Sequence, residues 1–331
     1  MGQCVINFQE KYKLLVHELN MNNSIKDKLR IYFFPLVFVK RKLHHYWIKF
    51  LGIYFPKKLA SMLHYSYCNR EIDWDNPKDL NEKINWLKFN SDTKSWSELS
   101  DKSAVRKFIE DSGYADILVK LYGVWSDVNE INFDELPDSF VFKSNNGSGT
   151  VLIVNDKNSI DKKEVKKLLK KWLTLKFGAM TAEPHYFPIK PLIIAEELLI
   201  NDKTEVSSSL IDYKFWCFEG EPHYVWTCSN RSEEGTSLAY FDMNWQRHSE
   251  YMVAVTGYNA SENDMPKPKS FDKMVEICRV FSKGFPQVRI DFYEVNDKPY
   301  FGEFTFTSEA GYMDVCTHEY LLEMGSKFHI K

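Results

Sequence analysis

The chain has 331 residues and no CxxC pair; its six cysteines (Cys4, Cys68, Cys217, Cys228, Cys278 and Cys316) are scattered. That spacing excludes a dense disulfide frame and the paired-cysteine zinc motifs, and it suits a reducing compartment. The nine histidines form neither HxxxH nor HxH, which disfavours zinc. The phosphate-binding GxxxxGK[ST] and GxGxxG and the nucleophile motif GxSxG are also missing,. Long apolar runs are lacking. Ile31 to Val39 spans nine residues, against the ~20 a membrane-crossing helix needs. The first residues give no expectation of a secretory signal, and Ile6 breaks the myristoylation pattern,. The net charge of -3 gives no basis for nucleic acid as a partner.

What is present is a large apolar fraction, 44% hydrophobic and 15% aromatic, enough for a sizeable core and about two domains. The charge is unevenly spread. Residues 1–70 hold twelve Lys/Arg against three Asp/Glu, so a basic head precedes an acidic body. In that head, aromatic and aliphatic residues interleave with lysines around Lys40-Arg41-Lys42 and Trp47 to Phe55. Two readings fit residues 31–58: a helix lying on an anionic membrane surface, or a helical segment docked on the body with its lysines in water. Pro35 and Pro56 break the head into helices.

From Trp74-Asp75-Asn76-Pro77 onward the pattern is that of a mixed body. Helices are predicted over Asn81–Phe89, Asp101–Asp111 (ending at Gly113), from Asp161 to Gly178, and over Phe271–Phe281,. Asp161 with Glu164 marks a capped start. Strands are predicted at 140–143, 151–154, 193–195, 211–218, 223–227, 288–293 and 300–306,. Antiparallel hairpins replace the strict alternation of a parallel dinucleotide-binding sheet, so the class is α+β.

The last hairpin carries the most chemistry. A turn centred on Asp297 sets Asp291 opposite Glu303 and Arg289 opposite Thr305. Period-2 alternation puts all four on one face, with Val288, Ile290, Phe292, Tyr300, Gly302, Phe304 and Phe306 on the other, core face,. Two carboxylates facing each other repel. Either Mg2+ lies between them, as a hard cation shared with substrate phosphates, or Arg289 alone relieves a solvent-facing pair. The tip Asn145-Asn146-Gly147-Ser148-Gly149-Thr150 can form a nest of backbone N–H groups for an anion, or be an ordinary mobile turn. Lys143, just before it, can reach a phosphate. Asp212 and Lys214 share a strand face with Trp216. In a nucleotide cleft Lys214 and Arg231 would neutralise phosphate charge; on a surface they would be plain ion pairs. His185, His223 and His318 read as packing or surface residues.

The order of segments then becomes informative. Asn76-Pro77, Leu80-Asn81-Glu82-Lys83-Ile84-Asn85-Trp86-Leu87-Lys88, Asp101-Lys102-Ser103-Ala104-Val105-Arg106, and Phe140 to Gly149 come first. Ile194-Ala195-Glu196-Glu197-Leu198, Asp212-Tyr213-Lys214-Phe215, Arg289 to Tyr293 and Gly302 to Phe306 follow. Together, over residues 70–315, they resemble the TupA-like ATP-grasp family of bacterial cell-surface polysaccharide and teichuronopeptide loci. The resemblance implies an ATP-grasp fold, with ATP held between two α+β subdomains. It makes Lys102 and Lys143 the phosphate and adenine-side lysines. Asn145, Gly147, Ser148 and Gly149 belong to a mobile phosphate lid, and Glu196, Glu197 and Leu198 to the hinge that reads adenine and ribose. Asp291 and Glu303 become Mg2+ ligands, with Thr305 where many ATP-grasp enzymes place an Asn ligand. Asn146 stands where this family commonly has His, and Glu309-Ala310-Gly311, less rich in Gly and Pro than is usual, falls on the substrate-side loop.

The implied organisation is an extension over 1–70, an N-terminal part of the body over 71–135, a lid subdomain over 136–200 and a core subdomain over 201–331. The implied activity is that of an ADP-forming carboxylate–amine ligase working through an acyl phosphate, with Lys214, Arg231 and Arg289 as catalytic cations. Its partners would be a carboxylate-bearing glycan or sugar and an amine donor. The expected place is the cytoplasm, at the inner face of the membrane if residues 31–58 touch lipid. Two rivals stand beside it: an ATP-grasp phosphotransferase acting on a sugar hydroxyl, and a non-catalytic subunit docked on the membrane during polysaccharide assembly.

Overall fold

The computed structural model describes residues 42–261 and 265–330. The expectations for Ile31–Val39, Pro35, Lys40 and Arg41 fall outside the described residues.

Two helices open the described chain, α1 (42–54) and α2 (Pro56–Cys68), and Pro56 at the first turn of α2 separates them,. Ile48, Leu51, Leu59 and Ala60 are buried against Ala182, Ala310 and Tyr312. A Cβ at Gly52 would run into the carbonyl of Ala179, so α1 approaches the body at a distance only glycine allows. The docked reading holds for this inner face. The outer face leaves Tyr46, Trp47, Phe50, Tyr54 and Phe55 exposed. Among the described residues no helix is long and apolar enough to cross a membrane.

Helix α3 (Leu80–Asn90) begins with a reciprocal capping box between Asp79 and Glu82,. Helices α4 (Lys94–Ser100) and α5 (Val105–Asp111) follow. The helix expected from Asp101 starts four residues later, and Ala104 is exposed rather than on its apolar face. Asp101 Oδ1 accepts from the backbone N–H of Ser103 at 2.8 Å and of Ala104 at 3.2 Å. The Lys102 N–H donates to the Asn145 carbonyl at 3.0 Å. Residues 101–104 thus form a capping turn that leads into α5, with the Val105 N–H donating to the Asp101 carbonyl at 2.9 Å, and Lys102 ties this turn to the glycine-rich loop.

A four-stranded antiparallel sheet contains β1 (Leu121–Trp125), β2 (Phe140–Ser144), β3 (Val151–Val154) and β4 (Ile193–Glu196) in the order β1-β4-β2-β3. Helix α6 (Lys162–Leu173) covers one face, burying Val165, Leu169 and Trp172 against Phe140, Phe142, Ile193 and Ala195. Asp161 caps α6 by accepting from the N–H groups of Lys163 and Glu164,. The helix stops at Leu173, five residues before the expected Gly178, whose φ of 79° serves the next turn. The small sheet draws β1 from the stretch 71–135, so a division at residue 136 passes through it.

The second sheet holds β5 (Asp212–Phe218), β6 (Glu221–Ser232), β7 (Gly235–Asp242), β8 (Tyr258–Ala260), β9 (Gln287–Val295) and β10 (Lys298–Thr305). Their order is β10-β9-β5-β6-β7-β8, antiparallel except for β7 with β8. Helix α7 (Phe271–Phe281) buries Phe271, Met274, Ile277, Cys278 and Phe281 in the core shared with this sheet, and α8 (His318–Ser326) closes the chain. Strands β1, β7 and β8 and helices α4 and α8 had no counterpart in the sequence reading.

The β9–β10 hairpin turns on Asn296 and Asp297, with φ of 51° and 62°, the left-handed pair that a two-residue turn requires. Pairing runs in one register from the turn to Phe301↔Phe292. The register then shifts across Gly302, and Glu303 faces Asp291 while Thr305 faces Arg289. The expected pairing therefore holds at the carboxylates. The turn, however, lies between Asn296 and Asp297, and a bulge at Gly302 supplies the missing residue. The bulge also corrects the expected faces. Phe301, not Tyr300, joins Phe281, Phe292 and Phe304 in the core, and Gly302 lies on the cleft.

Candidate active site

Strands β5 and β9 are buried along nearly their whole length, so the face with the charged residues is covered rather than bathed in solvent. Register fixes what sits side by side there. Glu303, Asp291, Lys214 and Trp226 form one row across β10, β9, β5 and β6. Arg289 and Trp216 are paired in the next row, and Tyr293 and Asp212 on the other side. The Arg289 guanidinium lies 5.9 Å from the centre of the Trp216 ring.

Opposite this face stand β2, β4 and the loop after β2, leaving a cleft with two adjoining compartments. One of about 180 Å3 has apolar walls, among them Val105, Leu118, Val141, Ile153, Leu198 and Leu210, with Glu196 and Glu197 at its edge. The other, of about 420 Å3, is lined by Gly147, Ser148 and Gly149 and by Lys214, Arg231, Arg289, Asp291 and Glu309. Lys102, Lys143, Tyr293, Gly302 and Glu303 border both. An apolar slot opening into a polar chamber suits a flat base followed by anionic groups.

The charges interlock. Arg289 grips Asp291 with two hydrogen bonds, Nε to Oδ1 at 2.7 Å and Nη2 to Oδ2 at 2.8 Å, and Lys214 Nζ donates to Oδ2 at 2.5 Å. Burial pushes the Asp291 carboxyl up, but the two cations and their hydrogen bonds outweigh it and hold it below the usual carboxylate range,. Burial alone would lower Lys214; the Asp291 charge reverses this, so Lys214 stays protonated. Glu303 lies 3.4 Å from Lys102 and 3.7 Å from Arg289. Its pKa is also lowered, with Lys102 the main cation acting against burial. Lys102 Nζ donates to the Gly147 carbonyl at 2.7 Å, joining the loop to the hairpin. Lys143 pairs with Glu196 at 2.8 Å, Arg106 with the same carboxylate at 3.5 Å, and Arg231 with Asp212.

The structure thus brings together on one cleft Lys102, Lys143, Gly147, Ser148, Gly149, Glu196, Glu197, Leu198, Lys214, Arg231, Arg289, Asp291 and Glu303. Asn145 does not line it. Its amide is buried, accepting from Leu192 N–H at 2.7 Å and donating to the Lys190 carbonyl at 3.0 Å, so it anchors the loop's base to the approach to β4. Thr305 sits behind the guanidinium, accepting from Arg289 Nη2 at 3.1 Å. Arg106 was missed although it ends a quoted segment; it pairs with Glu196 and donates to the Val119 carbonyl at 2.9 Å. Tyr258 was also missed, and Glu309 was placed only on the substrate-side loop that the resemblance implies, without its contact to Tyr258. They meet only in the folded chain, and no local spacing announces them.

Asp291 and Glu303 offer hard oxygen donors of the kind Mg2+ takes together with phosphates. Glu303 is 32% exposed towards the cavity, whereas Asp291 is 2% exposed and held by Arg289 and Lys214. Among the described residues no cluster of three or more His, Cys, Asp or Glu is placed to hold a metal. Two carboxylates alone would need phosphate and water to complete a cation's shell, and Glu303 is the one whose oxygens are open to the cavity.

No curated protein matches the chain in sequence. In structure it is similar to D-alanine–D-alanine ligase from Bacillus anthracis, with 16% identity and a TM-score of 0.40 over 75% of this chain and 65% of that one. The ATP-grasp ligase PsnB complexed with a minimal precursor matches at 11% identity and TM-score 0.39, over 74% and 66%. D-alanine–D-alanine ligase from Helicobacter pylori matches at 12% and 0.37, over 75% and 69%. The chain thus spans about two thirds of the length of these ligases. Sequence is more decisive: the model of the TupA-like ATP-grasp family matches residues 82–329, from the capping box of α3 to the last residues after α8. With two sheets enclosing a cleft of lysines, a glycine-rich loop and facing carboxylates, the chain belongs to the TupA-like ATP-grasp family and has an ATP-grasp fold.

Proposed function

We propose that the chain is an ATP-dependent carboxylate–amine ligase that works through an acyl phosphate. The observation that carries the reading is the convergence of Lys102, Lys143, Lys214, Arg231 and Arg289 with the Gly147–Gly149 loop on one chamber beside an apolar slot. ATP places its base in the slot, by Glu196, Glu197 and Leu198, and its phosphates over the loop. Lys102 and Lys143, at the boundary, meet the phosphates. The lid (136–200, extended back to β1) closes on the core (201–331) over them. Glu303 with Asp291, and Thr305 beside them, would hold magnesium, which would supply positive charge to neutralise the phosphates.

A substrate carboxylate attacks the γ-phosphorus, and ADP leaves. An amine then attacks the acyl carbon, and phosphate leaves. Neither step uses a covalent enzyme nucleophile, so orientation and a fixed positive field do the work. Lys214 and Arg289 are protonated and already positioned by Asp291, so little reorganisation is needed as charge develops. The resemblance to a family of cell-surface polysaccharide loci supports a uronic acid of a capsular or O-antigen polysaccharide as the carboxylate and an amino acid as the amine. The exposed aromatic face of α1, with Lys57 and Lys58 beside it, supports peripheral contact with the inner face of the cell membrane.

Calorimetry with ATP, with and without Mg2+, tests the nucleotide site. Wild type should bind in a Mg2+-dependent way and Glu303→Gln should lose that dependence. A folded wild type that binds no ATP overturns the reading. With uronic acids and amino acids, free phosphate and an amide are the expected products; a stable phosphorylated sugar would mean a phosphotransferase instead.

A further inference from the structure

Four carboxylates line the charged chamber on the core side, and three of them are paired. Asp212 meets Arg231, Asp291 meets Arg289 and Lys214, and Glu303 meets Lys102 and Arg289. Glu309 lines the same chamber and, among the described residues, has no ion-pair partner. Among the described residues its carboxylate accepts from the Tyr258 hydroxyl, which donates to Oε1 at 3.2 Å.

The backbone that presents Glu309 is unusual. Glu309, Ala310 and Gly311 take successive left-handed φ values of 45°, 55° and 79°. Two of these residues carry a Cβ, and such a conformation persists only where the surroundings over-determine it. Here α3 does so with three buried side chains. Asn85 donates to the Gly311 carbonyl at 2.8 Å, and Lys88 to the Ala310 carbonyl at 2.8 Å. Asn81 donates to the Met313 carbonyl and accepts from its N–H, both at 3.0 Å. The loop is therefore clamped from behind while the Glu309 side chain faces the cavity. Backbone strain of this kind clusters at functional sites, and here it holds an exposed carboxylate against the wall of the charged chamber.

We propose that Glu309 is the receptor for the amine substrate: its carboxylate binds the donor's ammonium group, with Tyr258 fixing the carboxylate's orientation. This rests on the ligase reading above. It adds that the nucleophile enters as a primary ammonium on the Glu309 side, across from the phosphate-binding lysines. One carboxylate with a phenol beside it suits an ammonium, whereas a divalent metal takes a fuller set of oxygens. In the reaction the ammonium gives one proton to Glu309 and becomes a free amine. Its nitrogen then bonds to the acyl carbon, the bond from that carbon to the phosphate oxygen breaks, and phosphate departs with the electron pair. The second nitrogen proton goes to the departing phosphate, leaving a neutral amide.

The test uses the full chain loaded with a non-hydrolysable ATP analogue and Mg2+. The probe is methylammonium, with methanol as its neutral counterpart, observed by saturation-transfer NMR. Wild type should bind methylammonium saturably and in preference to methanol. Glu309→Gln, which keeps the shape and can still accept from Tyr258, should weaken methylammonium binding about tenfold or more without changing affinity for the analogue. Tyr258→Phe should weaken it less. Equal affinity in wild type and Glu309→Gln overturns the assignment, as does a wild type that binds the analogue but not the probe. A folded wild type that fails to bind the analogue overturns the ligase reading, and this inference with it.

Discussion

Replacing Asp291 with Asn should destabilise the fold strongly, although the residue faces another carboxylate. The side chain is 2% exposed, with Arg289 and Lys214 bonded to it at 2.5 to 2.8 Å. Two like charges at ~4 Å in a surrounding of effective dielectric ~20 repel by about 4 kcal/mol, and relief of the Glu303 repulsion would favour the variant. Against this, the substitution strands two largely buried cations. Removing one partner of a buried pair costs about 3–5 kcal/mol, and here two pairs are lost together. Glu303 is the farther, half-exposed carboxylate, so the loss outweighs the relief, and a net cost of about 3–5 kcal/mol is expected. For 331 residues unfolding entropy is about 0.7 kcal/mol/K, so Tm should fall by about 4–7 °C. Glu303→Gln, more exposed, should change stability by no more than about 1 kcal/mol. Urea and thermal unfolding followed by circular dichroism at pH 7 measure both. An Asp291→Asn variant as stable as wild type, or more so, refutes the reasoning. It would mean that repulsion between the facing carboxylates dominates and that a bound cation is what normally offsets it.

His185 predicts a pH dependence. Burial, with a smaller push from the Lys88 charge, pulls its imidazole from 6.5 down to about 3, and neither ring nitrogen has a hydrogen-bond partner. The unfolded chain therefore binds the extra proton between these values. Stability should be complete above pH 6.5 and fall by about 1.4 kcal/mol per unit below it. His185→Phe should remove that part of the slope in denaturant titrations at pH 5 and 7, and an unchanged slope would assign the loss to other groups. The aromatic face of α1 predicts co-sedimentation with vesicles containing anionic lipid. Trp47→Ser with Phe50→Ser should release the protein, and retention by the double variant would place any membrane contact elsewhere.

Much of the site was legible because local rules fix it. Alternation and a polar turn paired Asp291 with Glu303, and β-strands on either side of Ser144–Thr150 marked the glycine-rich tip. The exact run of the hairpin was not legible, since a lone glycine in a strand signals either a packing gap or a bulge, and only the partner strand decides. Asn145 looked like a loop ligand because its partners, Lys190 and Leu192, lie more than forty residues away. The start of α5 was placed at Asp101 because Asp101 caps the turn that enters the helix, accepting from the N–H groups of Ser103 and Ala104, and periodicity does not separate such a capping turn from the helix itself. Strand β7 opens with Gly235, Thr236 and Ser237, one residue without a side chain and two with small polar ones, so it shows no apolar–polar alternation there. The family resemblance put Glu309 on a substrate-side loop, but its pairing with Tyr258 was not legible, because that contact joins segments about fifty residues apart.

The bulge at Gly302 has one more consequence. It opens a window in the wall of side chains along β10, at a point bordering both the apolar slot and the charged chamber. A Cβ placed there would stand 2.9 Å from the Asp291 carbonyl oxygen, so the window is kept bare by the neighbouring strand itself. Whatever occupies the cleft meets naked peptide at that point. Mutation elsewhere can retune the chamber's charges one by one, but this patch of surface is written in the main chain and stays the same whatever side chains surround it.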